Sequence, residues 1–271
     1  MRIPFTLFFV LLLQAAAHAA LPVAVSVLPQ QTFVKAVGGD AVEVQVVVGK
    51  GFDPATWQPT PRQLQRLAKA RLYVRAGLPF EKSWLPRFRR LNPGMEVLDM
   101  RDGLALIPQE NGEADPHVWT DPRQVKIHAA RLRDTLVRLD PPREAQYEAG
   151  YAALARRLDE LDAELARRLA PLKGRAFLVF HPAWSYFARR YGLKQLSVEH
   201  EGKEPAARSL ARLIDQARKL GIRTVIVQPQ HGSTLARVVA RALDARVVEV
   251  NPLDEDYFAA MRRMAEVLEA S

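Results

Sequence analysis

The 271-residue chain contains no cysteine. This absence excludes disulfide bonds, thiolate metal sites and cysteine nucleophiles together. It also removes the residue through which bacterial lipoproteins carry their lipid. We therefore expect a mature protein that is not lipidated and is freely soluble.

Long apolar runs are also scarce. Residues 3–13 are almost entirely apolar, about the length of a signal-peptide core and too short to span a bilayer. Ala17-His18-Ala19 follows as a cleavage site of the A-x-A type. The pattern predicts a cleaved signal peptide over residues 1–19, with an uncleaved anchor as the alternative. No later stretch suits a membrane span, so we expect an exported protein of the periplasm.

Motifs of several function classes are missing. The net charge is +9, but no basic run is interleaved with aromatic residues, and arginines alternate with acids, as in residues 155–160. This favours a solvated basic surface and no nucleic-acid partner. The sequence has no His-Glu-x-x-His, Gly-x-Ser-x-Gly, phosphate loop or dinucleotide fingerprint. We therefore expect a protein that is not an enzyme.

Short β-branched runs alternate with amphipathic stretches in both halves of the chain, which is typical of βαβ units and parallel sheets. Strands are predicted over residues 23–28, 42–48, 72–76, 95–98, 176–180, 224–227 and 246–250. Helices are predicted over residues 30–37, 60–69, 80–90, 185–191, 209–220, 234–243 and 255–269.

The middle of the chain differs from both halves. Leucines recur at helical spacing from residue 154 to residue 169, and the segment begins at Pro141-Pro142 and stops near Pro171. The alternative is an ordinary long surface helix. We predict an α/β fold of two lobes with mainly parallel sheets, joined by one long rigid helix. The expected bounds are 20–140 for the N-terminal lobe, 141–173 for the linking helix and 174–271 for the C-terminal lobe.

Three loops carry most of the residues suited to ligand binding, and each follows or faces a predicted strand end. Ligands in open α/β sheets bind outside the carboxyl ends of the strands. The loops are Gly-Phe-Asp-Pro-Ala-Thr-Trp-Gln-Pro-Thr-Pro (51–61), Asp-Pro-His-Val-Trp-Thr-Asp-Pro (115–122) and Phe-His-Pro-Ala-Trp-Ser-Tyr-Phe (180–187).

With these motifs, and with Gln-Pro-Gln at 228–230, the sequence resembles the periplasmic zinc- and manganese-binding proteins that feed ABC importers. The resemblance covers essentially the whole mature chain. It implies two lobes joined by a backbone helix, with one metal ion between them. It also implies a monomer that delivers its ion to an importer permease in the inner membrane. Zn²⁺ is the first expectation because neutral imidazoles suit it, with Mn²⁺ or another divalent ion left open.

Only some of the metal ligands that the family resemblance implies are present in this sequence. Two family ligands fall on His117 and His181, which are present. The histidine of the first loop is replaced by Ala55, and the acidic position after it is Gln58. The last family ligand, usually acidic, is Asn251 here, and a neutral amide is a weaker zinc partner than a carboxylate.

His231, at a predicted strand end, is our candidate for the missing third nitrogen, so the predicted metal ligands are His117, His181 and His231. His200 could also reach the cleft, whereas His128 is expected to be structural. In the alternative function the fold is the same and the ligand differs. With Ala55 opening a coordination position, the cleft would hold a metal chelate or another small ligand, or the protein would act as a metal chaperone.

Overall fold

The computed structural model describes residues 19–109, 111–199, 204–231 and 234–271, with only the backbone described for His231. The predicted signal sequence up to residue 18, and His200, lie outside the described residues. Within the described ranges, no helix combines the length and apolar character needed to cross a membrane.

The N-terminal lobe is built on a parallel four-stranded sheet. Its strands are β1 (Leu21–Val25), β2 (Val42–Val46), β3 (Leu72–Arg75) and β4 (Glu96–Asp99). They are ordered β2-β1-β3-β4. Its helices are α1 (Leu28–Gly38), α2 (Pro61–Leu67), α3 (Pro79–Leu91) and α4 (Pro122–Leu139). Helix α2 begins as predicted, because the Thr60 side chain accepts a hydrogen bond from Gln63 N and Pro61 occupies the first turn.

The C-terminal lobe repeats this arrangement. Its strands are β5 (Ala176–Val179), β6 (Lys194–Ser197), β7 (Thr224–Val227) and β8 (Arg246–Glu249). They are parallel and ordered β6-β5-β7-β8. Its helices are α6 (Ser185–Tyr191), α7 (Ala207–Lys219), α8 (Thr234–Leu243) and α9 (Tyr257–Glu269). Strand β6 was not predicted, because its sequence Lys-Gln-Leu-Ser contains a single apolar residue.

One continuous helix, α5 (Glu144–Leu169), connects the lobes. At 26 residues it is about 39 Å long, and a short 3₁₀ turn flanks it at each end. Its five predicted core leucines are each at most 1% exposed. The helix packs against α1 and α4 of the first lobe and against α6 and α9 of the second. The predicted long helix is therefore confirmed, and the hydrophobic core that it shares with both lobes makes it a rigid connection.

Hydrogen bonds also join the lobes directly, near the carboxyl ends of their strands. Trp119 Nε1 donates to the Pro252 carbonyl at 2.8 Å. The Tyr186 hydroxyl donates to the Asp115 carbonyl at 2.8 Å and accepts from Ile107 N at 3.0 Å. All three bonds are made by groups that are partly or fully buried, so the strand ends of the two sheets meet in one cleft.

Candidate metal site

The side chain of His117 is held by the residue two positions before it. Asp115 Oδ1 accepts hydrogen bonds from His117 N at 2.9 Å and from His117 Nδ1 at 2.7 Å. Burial alone would raise the pKa of Asp115, but the charge of protonated His117 and its hydrogen bonds outweigh it and hold that pKa below its usual range. Since a carboxylate only accepts, Nδ1 donates to it; when the ring is neutral, the lone pair is on Nε2, the nitrogen left for a metal.

His181, in the C-terminal lobe, is held in the same way by a carboxylate of its own lobe. It lies just beyond β5, and its Nδ1 is 2.8 Å from Oε2 of Glu199, which lies just beyond β6. The pairing of β5 with β6 continues past the strands, since Glu199 N donates to the Phe180 carbonyl at 2.9 Å. A buried carboxylate therefore orients this ring too, and in the neutral ring it again leaves the lone pair on Nε2.

The two histidine rings lie face to edge across the interlobe cleft. Their centroids are 5.3 Å apart and their planes are inclined by 78°. Trp119 also packs edge-on against His117, with ring centroids 5.2 Å apart. Carboxylate–histidine pairs of this kind are the usual support of zinc ligands, because they fix the tautomer and raise the basicity of the ring.

A cavity of about 540 Å³ opens beside these rings and is lined by loops from both lobes. His117, His181, Glu199 and Gln228 line it, as does Ala55 from the first loop. That loop is anchored by Trp57, which is buried and packs edge-on against Phe80 at 5.1 Å. The Ala55 amide also donates to Asp53 Oδ1 at 2.8 Å. The first loop therefore faces the cavity, although residue 55 is an alanine where the family resemblance implies a histidine.

The other predicted positions fall elsewhere. Gln58 is exposed and Asn251 is half-buried, and neither is among the residues that line this cavity. The Asn251 amide oxygen instead accepts from Leu253 N at 3.0 Å and from Gln230 Nε2 at 3.4 Å. His128 lies in the core at 1% exposure, where burial lowers its pKa to about 4. This burial agrees with the structural role that we expected for His128.

The predicted set of three histidines is only partly described. His117 and His181 come together, while the side chain of His231 lies outside the described residues. Among the residues that the structure does describe, no group of three or more His, Asp or Glu side chains is arranged to hold an ion.

The partners of the two histidines, Asp115 and Glu199, were not predicted from the sequence. The Asp-Pro-His spacing could have identified Asp115. Glu199 is 18 residues from His181, and only the unpredicted strand β6 brings it close.

The fold and the site define a two-lobed binding protein with its ligand site between the lobes. The chain belongs to the family described as zinc-uptake complex component A, periplasmic, which it matches over residues 23–271.

Two curated relatives illustrate the likeness. The zinc-binding lipoprotein AdcA of Streptococcus pneumoniae (strain ATCC BAA-255 / R6) is 26% identical over 284 residues, covering 94% of this chain and 56% of that protein. The high-affinity zinc uptake system protein ZnuA of Brucella abortus (strain 2308) is 38% identical over 145 residues, covering 52% of this chain and 43% of that protein. The chain thus spans about half the length of the curated relatives it matches.

Solved structures agree along nearly the whole chain. A crystal structure of ZnuA superposes with a TM-score of 0.89 at 38% identity, covering 93% of this chain and 99% of that one. Zn(II)-bound AdcA from Streptococcus pneumoniae superposes with a TM-score of 0.78 at 25% identity, covering 93% of this chain and 57% of that one. The two-lobed fold with its long connecting helix is therefore shared with these proteins.

Proposed function

We propose that this protein captures Zn²⁺ between its lobes and delivers it to the permease of an ABC importer in the inner membrane. The observation that carries the proposal is the pair of imidazoles at 5.3 Å, one from each lobe. Each has a carboxylate on Nδ1, at 2.7 Å for His117 and 2.8 Å for His181. Family membership and the zinc-binding relatives named above support the choice of ion.

In this proposal Nε2 of His117 and Nε2 of His181 are two of the zinc ligands, and His231 supplies a third nitrogen. Structural zinc sites use four protein ligands and open sites three, so two imidazoles need completion. Ala55 offers no donor, and the Asn251 oxygen already accepts two hydrogen bonds. His231 ends the 3₁₀ turn Pro229–His231 that follows β7, on the same sheet edge as His181.

The alternative ligand is a metal chelate or another small molecule, with the chain acting as a carrier or a metal chaperone. The cavity of about 540 Å³ favours this alternative, because it is much larger than a bare ion. Under both readings the protein binds and releases its ligand without chemical change and is not an enzyme.

We infer that the protein is exported to the periplasm and works there as a monomer. The predicted signal peptide at residues 1–19 supports the export, and the absence of cysteine supports a form without an attached lipid. The mature chain would comprise a lobe at 20–140, a linking helix at 141–173 and a lobe at 174–271. Mass spectrometry of the periplasmic protein would test the cleavage. An intact Met1 would count against it.

Zinc binding is tested with His117→Ala, His181→Ala and His231→Ala, each titrated against a chromophoric zinc chelator. We expect the first two to lose tight binding and the third to weaken it by about tenfold or more. Metal analysis of untagged protein from the periplasm should find about one zinc per chain, and competition with Mn²⁺ would establish the preference. Protein that carries no metal but retains a small molecule would overturn the zinc proposal in favour of the alternative.

A further inference from the structure

Gln228 has a buried polar group that the fold does not satisfy. The residue is 4% exposed, yet its Nε2 has no hydrogen-bond partner within the part of the chain that the structure describes. A buried donor that is left unpaired destabilises the folded protein. Buried side-chain donors are paired in the large majority of cases. Among the described residues, Gln228 differs from the unpaired His128 of the core because Gln228 lines a cavity that can hold a partner.

The sheet register places Gln228 beside the metal site. Strands β5 and β7 are paired so that Val179 lies next to Ile226. Two residues further along each strand, the same register brings His181 and Gln228 to neighbouring positions at the carboxyl edge. Both residues line the cavity. Gln228 Nε2 itself has almost no accessible surface, so a ligand that reaches His181 contacts this amide once the Gln228 side chain turns toward the cavity.

The cavity has room for more than an ion. A single water needs roughly 10–15 Å³ of such space, against about 540 Å³ here. Ala55 and Thr56 line one wall where the family resemblance placed an imidazole at residue 55. A small organic molecule therefore fits beside the two histidine rings without displacing them.

We propose that the site takes Zn²⁺ together with a small carboxylate anion, and that Gln228 Nε2 binds the anion. One carboxylate oxygen would complete the zinc coordination, and a second would accept the hydrogen bond from Gln228. A carboxylate suits both contacts because it only accepts hydrogen bonds and can use two oxygens. Its negative charge also offsets that of the dication. This inference rests on the proposed zinc function and names the form in which the ion is bound.

The test measures zinc affinity at matched free zinc concentrations, with and without oxalate, malate or citrate. For the wild-type chain we expect at least one of these anions to tighten zinc binding about tenfold or more. Native mass spectrometry should then show a species with the combined mass of protein, zinc and that anion. In Gln228→Leu the ratio of the two affinities should fall to about one. Gln230→Leu is the matched control and should keep the wild-type ratio, because Gln230 does not line the cavity.

The outcomes separate the two proposals. If the wild-type chain binds zinc equally well with and without all three anions, and no ternary species is found, the anion proposal is wrong and zinc binding stands. The same conclusion follows if an anion enhances binding equally in Gln228→Leu and wild type, because Gln228 then has no part in holding it. If neither zinc nor zinc with an anion binds, the proposed function itself fails.

Discussion

The imidazole of His117, from the N-terminal lobe, lies 5.3 Å from the imidazole of His181, from the C-terminal lobe. Neither lobe contains this pair alone, so the site depends on how the lobes are held together. Helix α5 and the Trp119–Pro252 hydrogen bond both contribute to that arrangement.

Removing the charge from the carboxylates behind the rings should weaken zinc binding. In Asp115→Asn and Glu199→Gln we expect a loss of about 10- to 100-fold in affinity, the usual effect of changing such partners. An amide can still accept a hydrogen bond, but it no longer raises the basicity of the ring. Chelator competition measures the effect. Asp134→Asn, at an exposed ion pair with Arg133, is the control and should bind like wild type. Unchanged affinity in both site variants would contradict the assigned roles.

Restoring an imidazole to the first loop should tighten zinc binding. Ala55 lines the cavity, so Ala55→His adds a nitrogen beside the two histidines of the proposed zinc site. We expect a gain of about tenfold or more in zinc affinity, measured by competition. We also expect less dependence on any added carboxylate.

The matched control for the first loop is Phe52→His. Phe52 lies in the same loop, but it is 62% exposed and is not among the residues lining the cavity. Its zinc affinity should stay at the wild-type value. Equal affinities in wild type and Ala55→His would mean that the first loop does not reach the metal.

Much of this fold could be predicted from local pattern. The strand–helix alternation and the leucine spacing of α5 depend on burial along single elements, and burial leaves a periodic trace in the sequence. Strand β6 leaves no such trace. Its Lys-Gln-Leu-Ser residues pair with β5 through their backbone, and backbone pairing does not require apolar side chains.

The site was predictable only where its residues share a motif. His117 and Asp115 lie two residues apart, so one short sequence contains both. The pairing of His181 with Glu199 and the placement of Gln228 depend on the register of three strands. Such contacts between distant segments arise only once the sheet is formed.

Packing between α5 and α1 should not tolerate a side chain at Gly150. A Cβ there would overlap the Val37 carbonyl oxygen and lie 2.8 Å from that of Ala36. Helix propensity alone favours Ala over Gly by about 1 kcal/mol, but we expect Gly150→Ala to destabilise the fold by about 1–3 kcal/mol through overpacking. Urea denaturation measures this. For comparison, Ala152→Gly at an exposed position of the same helix should cost about 1 kcal/mol. A stabilised Gly150→Ala would show that the helices separate easily.

His128 should make the protein acid-sensitive independently of the metal site. Its two ring nitrogens are buried and have no hydrogen-bond partner among the described residues. Burial, aided by the charge of Arg131, lowers the pKa of the ring from 6.5 to about 4. In the unfolded chain the His128 ring is therefore protonated below about pH 6.5. In the folded chain it is protonated only below about pH 4. Over that window this residue destabilises the fold by roughly 1.4 kcal/mol per pH unit, or about 3 kcal/mol by pH 4.

In the variant His128→Leu this pH-dependent destabilisation is absent. The free energy of unfolding in urea, measured for both proteins from pH 8 to pH 4.5, should show a difference that is constant above pH 7 and moves in favour of the variant as the pH falls. Parallel curves across the whole range would show that the ring is protonated as readily in the folded as in the unfolded protein.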